Sequence, residues 1–338
     1  MKKFAALVLA GAMTLGLAAC GGGNTSTPAA SSTPAASTPA ASTPAASTGS
    51  DYASLDPVVL RGADSAGVGA AAQQLGELVA EKVDAITGGQ LTVEYYPNSE
   101  MGGDMDIQQQ MLDGTLDYVV LQTAPTVSFV PAVAVFDLPM VFAQYDGDTI
   151  DQVLNGDDSE FLKAIAPKYE EKNMKILGYL QNATYRLTTS NVKLDTLDAF
   201  KGLQIRTMEN QNHMAFWSAL GAAPTPLAWP EVYISLQNGT IDAQENAADT
   251  CMTSNFQEVQ KYLNFTNHIL YLNQIIINND KFNSLDPLYQ DALTQAVEEA
   301  IAELRPALTE LDKSSKDTLA AGGMEMVEYA PEFYDEIL

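Results

Sequence analysis

The sequence is poor in cysteine, histidine and basic residues. Its 338 residues include two cysteines, Cys20 and Cys251, and two histidines, His213 and His268. A structural zinc site takes four such ligands and a disulfide framework takes several cysteines, so the composition argues against both. Lysine and arginine total 17 against 43 acidic residues, which gives a formal net charge of −26. This balance argues against nucleic acid and against anionic lipid headgroups as binding partners.

Long hydrophobic runs are also missing, and the apolar stretch at the start is short. Lys2 and Lys3 precede residues 4–17, which are largely apolar, and small residues then lead to Cys20. A membrane-spanning helix needs about 20 apolar residues, so this segment is typical of a secretory signal. Its end resembles a bacterial lipoprotein signal, which predicts a signal peptide over residues 1–19 and lipidation of Cys20. The alternative is an ordinary signal peptide with an incidental cysteine.

Residues 20–56 have almost no large apolar side chains. The motif Thr-Pro-Ala-Ala recurs from Thr27, Thr33, Thr38 and Thr43. Such a segment cannot bury enough apolar surface to offset the entropy of ordering, and its prolines keep it extended. We predict a disordered tether that, with the lipid on Cys20, holds a folded body outside the bacterial cell membrane. A mucin-like stalk with a role of its own is the alternative.

From residue 57 the pattern becomes that of a folded α/β protein. Strands are predicted at 58–61, 91–96, 118–121, 174–180, 185–189, 203–208, 240–244 and 269–277. Helices are predicted at 66–87, 105–112, 214–220, 230–237 and 286–319, the last with a kink at Pro306. Alternation of strand and helix predicts βαβ units with mostly parallel sheets. Two such series predict two lobes with a cleft between them, where ligands favour binding.

The folded part has none of the common motifs of enzyme chemistry. It has no phosphate-binding glycine motif and no Gly-x-Ser-x-Gly nucleophile elbow. His213 and His268 lie beside apolar residues and are interpreted as structural. Glu245 and Asp242 carry no weight as catalytic acids in so acidic a chain. A hydrolase is therefore the weaker alternative, and no catalytic residue, cofactor or metal is predicted.

Arginine is scarce in the folded part, where it occurs at Arg61, Arg186, Arg206 and Arg305. Arg186 and Arg206 fall within predicted strands. A guanidinium group matches a carboxylate with two parallel hydrogen bonds. Each of these two arginines is therefore either a binding group for an organic acid or the partner of a neighbouring acidic side chain, and composition leaves both interpretations open.

Four segments match a family in sequence and in order. They read Lys-Gly-Leu-Gln-Ile-Arg at 201–206, Leu-Gly-Ala-Ala-Pro-Thr-Pro-Leu at 220–227, Trp-Pro-Glu-Val-Tyr at 229–233 and Leu-Gln-Asn-Gly-Thr-Ile-Asp-Ala-Gln-Glu-Asn at 236–246. The chain closely resembles the solute-binding proteins of TRAP (tripartite ATP-independent periplasmic) transporters, of the C4-dicarboxylate-binding (DctP-like) type. The resemblance extends from residue 58 to about residue 329.

The resemblance implies an α/β fold of the two-lobed periplasmic-binding-protein type (type II), with an interlobe cleft, crossing strands and a long helix that spans both lobes. Lobe I is expected at 57–183 plus 271–310, and lobe II at 184–270 plus 311–338. The family captures a small organic acid without catalysis and delivers it to the membrane subunits of a TRAP permease. A ligand-binding module of a signalling system is the alternative.

The resemblance also assigns candidate binding residues. The arginine that grips the ligand carboxylate falls on Arg206, and a second contact falls on Arg186. The other candidates are Asn246, Trp229, Asn210, Gln122, Asp64 and Asp104, with plain core packing as the alternative for Trp229. Asp64 and Gln122 leave the far end of the ligand open, because an aspartate in the cleft suits hydroxyl groups or an amine better than a second carboxylate.

Overall fold

Two β-sheets contain the strands of the part of the chain that the structure describes. The computed structural model describes residues 52–338, so the predicted signal peptide at 1–19, Cys20 and most of the tether at 20–56 lie outside the described residues. The strands are β1 (Val58–Asp64), β2 (Leu91–Tyr96), β3 (Tyr118–Gln122), β4 (Met174–Tyr185), β5 (Leu187–Ser190), β6 (Gln204–Thr207), β7 (Ala223–Pro226), β8 (Ala243–Asn246), β9 (Tyr262–Asn264), β10 (Leu270–Asn278) and β11 (Glu325–Val327).

The helices lie where apolar spacing and capping residues favour them. They are α1 (Ala71–Thr87), α2 (Asp104–Leu112), α3 (Thr123–Thr126), α4 (Gly147–Asn155), α5 (Glu160–Glu170), α6 (Gln211–Ala219), α7 (Val232–Gln237), α8 (Ala248–Thr253), α9 (Asn279–Ser284), α10 (Pro287–Ala321) and α11 (Pro331–Ile337). Leu75, Val79 and Val83 form the buried stripe of α1, and the helix ends at Gly88 in the left-handed conformation that glycine adopts easily. Among the helices described, none is both long and apolar enough to cross a bilayer.

The first sheet has five strands in the order β2-β1-β3-β10-β4. Strand β1 is parallel to β2 and β3, as the alternation of strand and helix predicts. Strand β10, however, is antiparallel to both β3 and β4. Four of the five strands therefore run in one direction, which agrees with the expectation of a mostly parallel sheet, and β10 runs the other way because it returns from the other sheet.

The second sheet has six strands in the order β11-β9-β5-β8-β6-β7. Strand β6 is parallel to β7 and β8, whereas β5 is antiparallel to β8 and β9. This sheet is also mixed, because β5 arrives directly from β4 of the first sheet. Each sheet has its own buried apolar clusters, with Leu60 and Tyr118 in one cluster of the first and Leu187 and Leu263 in one of the second.

Two chain crossings and one helix join the sheets. Arg186 alone separates β4 from β5, and residues 265–269 separate β9 from β10. Helix α10 runs from Pro287 to Ala321 and includes Pro306. Its Leu308 packs in the core of the first sheet and its Leu319 in the core of the second. The expected two-lobed α/β fold with crossing strands and a lobe-spanning helix is confirmed, while the residue limits of the lobes stay a prediction.

Candidate functional site

A narrow cavity lies between the two sheets. Five of the eight predicted binding residues line it, namely Asp104, Gln122, Arg206, Trp229 and Asn246. The volume of this cavity that is open to the centre of a water molecule is about 20 Å³. That space accommodates about one water molecule, so a larger ligand requires the two walls to separate. Arg186, Asn210 and Asp64 do not belong to the lining.

Arg206 is a buried cation with an unfilled hydrogen-bonding position. It lies on β6 with 1% of its surface exposed, and its Nε donates to the carbonyl oxygen of Leu227 at 2.8 Å. Its guanidinium carbon lies 5.5 Å from the ring centre of Trp229, in cation–π range. Its Nη1 is buried without a partner, and the described residues place no carboxylate within ion-pair distance of it. Burial lowers the pKa of Arg206 to about 10.

Arg186 has a different environment, because an acidic side chain neutralises it. It lies between β4 and β5 instead of within a strand, and its Nε and Nη2 donate to the carboxylate of Glu245. Its Nη1 donates to Oε1 of Gln122. Burial lowers the pKa of Arg186, but the ion pair with Glu245 outweighs burial and raises it overall. The interpretation as the partner of a neighbouring acid therefore describes this arginine.

Glu245, to which the sequence patterns gave no role, lies at the centre of this charged cluster. It is fully buried on β8, and Nε2 of His268 lies 3.2 Å from its Oε2. Nδ1 of His213 lies 3.7 Å from its Oε1. Burial raises the pKa of Glu245, but Arg186 and the two histidines outweigh it and hold that pKa well below its usual range. The ionised carboxylate is thus paired with Arg186, and Arg206 feels it only at longer range, with no ion-pair partner of its own among the described residues.

Asp64 and Asp104 of the first lobe differ in how many hydrogen bonds their carboxylate oxygens already accept. Oδ1 of Asp104, in the first turn of α2, accepts a hydrogen bond from the Ser65 hydroxyl. Asp64 accepts from the backbone N–H of Ala66 at 2.8 Å and from the Tyr95 hydroxyl at 2.6 Å. Burial is the main cause that raises the pKa of each aspartate to about 6. Only Asp104 lines the cavity.

Gln122 and Asn246 connect the two walls of the cavity. Gln122 ends β3 in the first sheet and Asn246 ends β8 in the second. Nε2 of Gln122 lies 3.3 Å from Oδ1 of Asn246 and 3.1 Å from the hydroxyl of Tyr271. These amides meet because each is the last residue of a strand whose end faces the cavity.

Asn210 has a structural position instead of a place in the lining. Its side-chain oxygen caps α6 by accepting from the backbone N–H groups of Asn212 and His213. Its Nδ2 donates to Asp137 and to the carbonyl oxygen of Ala124, each at 2.9 Å. The side chain therefore holds the start of α6 against the segment that follows β3. Its predicted binding role remains a prediction.

The lining also contains polar residues that the sequence patterns did not single out. They are Ser65, Thr250, Tyr271 and Asn273. Oδ1 of Asn273 is buried and has no hydrogen-bond partner, as is the case for Nη1 of Arg206. The two adjacent amides Asn273 and Gln274 inside the largely apolar strand Leu270–Asn278 were the available signal for this residue. Within residues 52–338, no group of acidic, histidine or cysteine side chains is arranged to hold a metal ion.

Comparison with known proteins agrees with this architecture. The model of the bacterial extracellular solute-binding protein, family 7 (DctP), matches residues 63–337. The 2,3-diketo-L-gulonate-binding periplasmic protein of Escherichia coli is 30% identical over 257 residues, which cover 76% of each chain. The sugar acid binding protein of Advenella mimigardefordensis in complex with galactonate has a TM-score of 0.78 and 27% identity, covering 84% of this chain and 90% of its own. A TRAP periplasmic solute-binding protein of Roseobacter denitrificans with bound L-galactonate also has a TM-score of 0.78 and 27% identity, covering 84% and 93%.

Proposed function

The chain belongs to the DctP family of bacterial extracellular solute-binding proteins, and from that membership we propose that it captures an organic acid through Arg206 and delivers it to a TRAP permease. Members of this family are TRAP periplasmic solute-binding proteins that bind a solute without catalysis, so the chain is an extracytoplasmic binding protein and not a hydrolase.

The observation that carries the proposal is that the buried guanidinium group of Arg206 has no ion-pair partner among the described residues and an unpartnered Nη1. A buried cation is costly unless a counter-charge and hydrogen bonds satisfy it. The carboxylate of a ligand supplies both, since it brings one negative charge and accepts from the unpartnered Nη1. Trp229 over the guanidinium group and Asn246 on the neighbouring strand β8 line the same cavity and add packing and a polar contact.

The ligands of similar structures support a carboxylate as the group captured. The similar proteins of A. mimigardefordensis and R. denitrificans hold galactonate and L-galactonate. Both are sugar acids with one carboxylate. For this chain we propose the same general class, an organic acid whose carboxylate lies against Arg206.

Capture by closure of the lobes accounts for the small cavity. Arg206 belongs to the second sheet, whereas Asp104 and Gln122 belong to elements of the first lobe. A ligand that contacts both walls stabilises the closed arrangement over an open one by the difference in its affinity for the two. The closed shape would then be what the membrane subunits recognise. The lipid on Cys20 and the tether would keep the protein close to those subunits, because each buried methylene of an acyl chain adds about 0.8 kcal/mol of membrane affinity.

The test replaces Arg206 by glutamine and measures binding of a panel of organic acids by calorimetry. A charge-assisted hydrogen bond contributes about 1.5–3 kcal/mol, so Arg206→Gln should weaken the best ligand by at least ~10-fold. The unliganded variant should stay folded, because the change removes a buried charge that has no ion-pair partner within residues 52–338.

Arg305→Gln is the matched control for this test. Arg305 pairs with Asp148 and Asp151 away from the cavity, so its loss should leave acid binding unchanged. Equal binding of every acid by wild type and Arg206→Gln would show that Arg206 does not capture the carboxylate, and the proposal would be wrong.

A further inference from the structure

The two walls of the cavity have opposite hydrogen-bonding character. The second-lobe wall, formed by lining residues of the second sheet and its helices, has an unpartnered donor and a positive charge at Arg206 on β6. The first-lobe wall includes Asp104 on α2 and Asn273 on β10. Among the described lining residues, Arg206 is the basic one and Asp104 the acidic one. A ligand that satisfies both walls must therefore offer an anionic acceptor at one end and hydrogen-bond donors at the other.

Asp104 presents a carboxylate whose hydrogen bonds are incomplete. One oxygen accepts from the Ser65 hydroxyl. Within the described residues, no hydrogen bond reaches the other oxygen and no basic group lies within ion-pair distance. The residue is 9% exposed and faces the cavity. A carboxylate in such surroundings gains from a donor on the ligand, and it repels a second anion because Arg206, whose charge favours ionised Asp104, is then paired with the first carboxylate of the ligand.

Asn273 adds a second acceptor to the same wall. The residue is 2% exposed, and its place on β10 is held by pairing with Gln122 on one side and Leu180 on the other. Its Oδ1 is buried with no partner. A buried amide oxygen without a donor costs free energy that a ligand hydroxyl recovers and a carboxylate does not.

Gln122 and Tyr271 of this wall already have partners. The hydroxyl of Tyr271 lies 2.8 Å from that of Thr250, which belongs to α8 on the second-lobe side. Nε2 of Gln122 reaches Tyr271, and Oε1 of Gln122 accepts from Arg186. The unfilled acceptors of the first-lobe wall are thus Asp104 and Oδ1 of Asn273, and the charge that opposes a second carboxylate is that of Asp104.

We propose that Asp104 and Asn273 select a hydroxylated monocarboxylate and reject the corresponding dicarboxylate. The inference rests on capture of one carboxylate by Arg206, and it names the chemistry of the ligand's other end. Hydroxyl groups donate to the oxygens of Asp104 and Asn273. A second carboxylate has no proton to donate at neutral pH and meets the charge of Asp104 inside a closed cavity.

The test uses pairs of acids that differ only at the end remote from Arg206. Erythronate is compared with tartrate, and galactonate with galactarate, by calorimetry at pH 7.5 on the purified full chain. The acid of each pair with one carboxylate should bind at least ~100-fold more tightly, since a buried like-charge contact costs several kcal/mol. In Asp104→Asn the ratio should fall by at least ~10-fold, mainly because the dicarboxylate gains affinity.

Asp106→Asn is the control. Asp106 lies on the same helix as Asp104, but its side chain is exposed, accepts a hydrogen bond from the backbone N–H of Gly103 and lies outside the lining. It should leave the selectivity ratio unchanged. Asn273→Ala should weaken the monocarboxylate and leave the already weak dicarboxylate unaffected, which separates loss of a hydroxyl contact from a general loss of binding.

Other outcomes overturn the inference in distinguishable ways. Equal binding of both members of a pair, or an unchanged ratio in Asp104→Asn, would contradict selection by Asp104 while capture by Arg206 still stood. A best ligand that needs Arg206 but lacks hydroxyl groups would also contradict it. Acids that bind Arg206→Gln as well as wild type would remove the proposed function and the inference together.

Discussion

Arg186 and Arg206 are alike in residue type and in burial, yet their surroundings give them different chemistry. Glu245 gives Arg186 a counter-charge, and Arg186, helped by His213 and His268, holds that carboxylate in its ionised form. Arg206 is left with a carbonyl oxygen and an aromatic face. A fixed internal ion pair has no charge left to offer, whereas an unpaired buried guanidinium group gains from any carboxylate that reaches it.

The titration of Asp104 leads to a prediction for stability at the same scale. Burial raises the pKa of Asp104 from 3.8 to about 6, so folding favours the protonated form. Its contribution to stability is therefore complete below pH 3.8 and is lost as the pH rises through about 6. Asp104→Asn should gain stability relative to wild type between pH 4 and pH 7, by up to about 3 kcal/mol for two units of pKa.

Denaturant unfolding of the two proteins across this pH range measures the difference. A gap in unfolding free energy that does not change with pH would show that Asp104 titrates in the folded protein as it does in the unfolded chain.

At the scale of elements, α10 is the helix that packs in the cores of both sheets. Asp286 caps its start and Pro287 lies in its first turn, where a missing N–H costs nothing. Pro306 lies inside the same helix, where it cannot donate to the carbonyl of Ala302. Because of these positions, Pro306 should destabilise the helix, whereas Pro287 should not.

Pro306→Ala should therefore stabilise the protein, by as much as about 3 kcal/mol if the helix straightens without strain. Pro287→Ala should change stability little, since the first turn needs no donor at that position. Thermal unfolding of the two variants beside wild type makes the comparison. A lower melting temperature for Pro306→Ala would mean that the proline shapes α10 to fit both lobes at once.

At the scale of the whole molecule, a strongly acidic protein is proposed to bind an anion. The formal net charge of −26 repels an approaching carboxylate over about one Debye length, roughly 8 Å at physiological salt. Arg206 attracts it only at short range, because the side chain is buried at the cavity. The long-range field therefore opposes encounter, while the contacts inside the closed cavity determine how long the ligand stays.

Salt should separate these two effects. Raising ionic strength from about 10 mM to about 150 mM should increase the association rate constant severalfold, because the repulsion is screened. The dissociation rate constant should change little, since buried contacts are screened much less. Stopped-flow fluorescence of the tryptophans with the best acid measures both constants. An association rate that falls with added salt would mean that local positive potential prevails over the net charge.

Much of the element pattern was predictable from local sequence. The stripe of Leu75, Val79 and Val83 and the stop at Gly88 predicted α1, and the apolar run at 269–277 predicted β10. Strand direction was not predictable in this way. Local pattern is the same for a parallel and an antiparallel neighbour, so the mixed sheets emerged only from the crossings at Arg186 and at residues 265–269.

The sequence by itself determined the family, the acidic charge and the choice of Arg206 as the leading binding residue. Composition and the order of motifs are properties of the chain that do not depend on how it folds. Tertiary structure decided which arginine is neutralised, since Arg186 and Glu245 are 59 residues apart and meet only when β5 pairs with β8. It also brought Asn273 to the cavity opposite Arg206. Charge compensation and unfilled hydrogen bonds depend on neighbours in space, and neighbours in space are what a one-dimensional pattern does not specify.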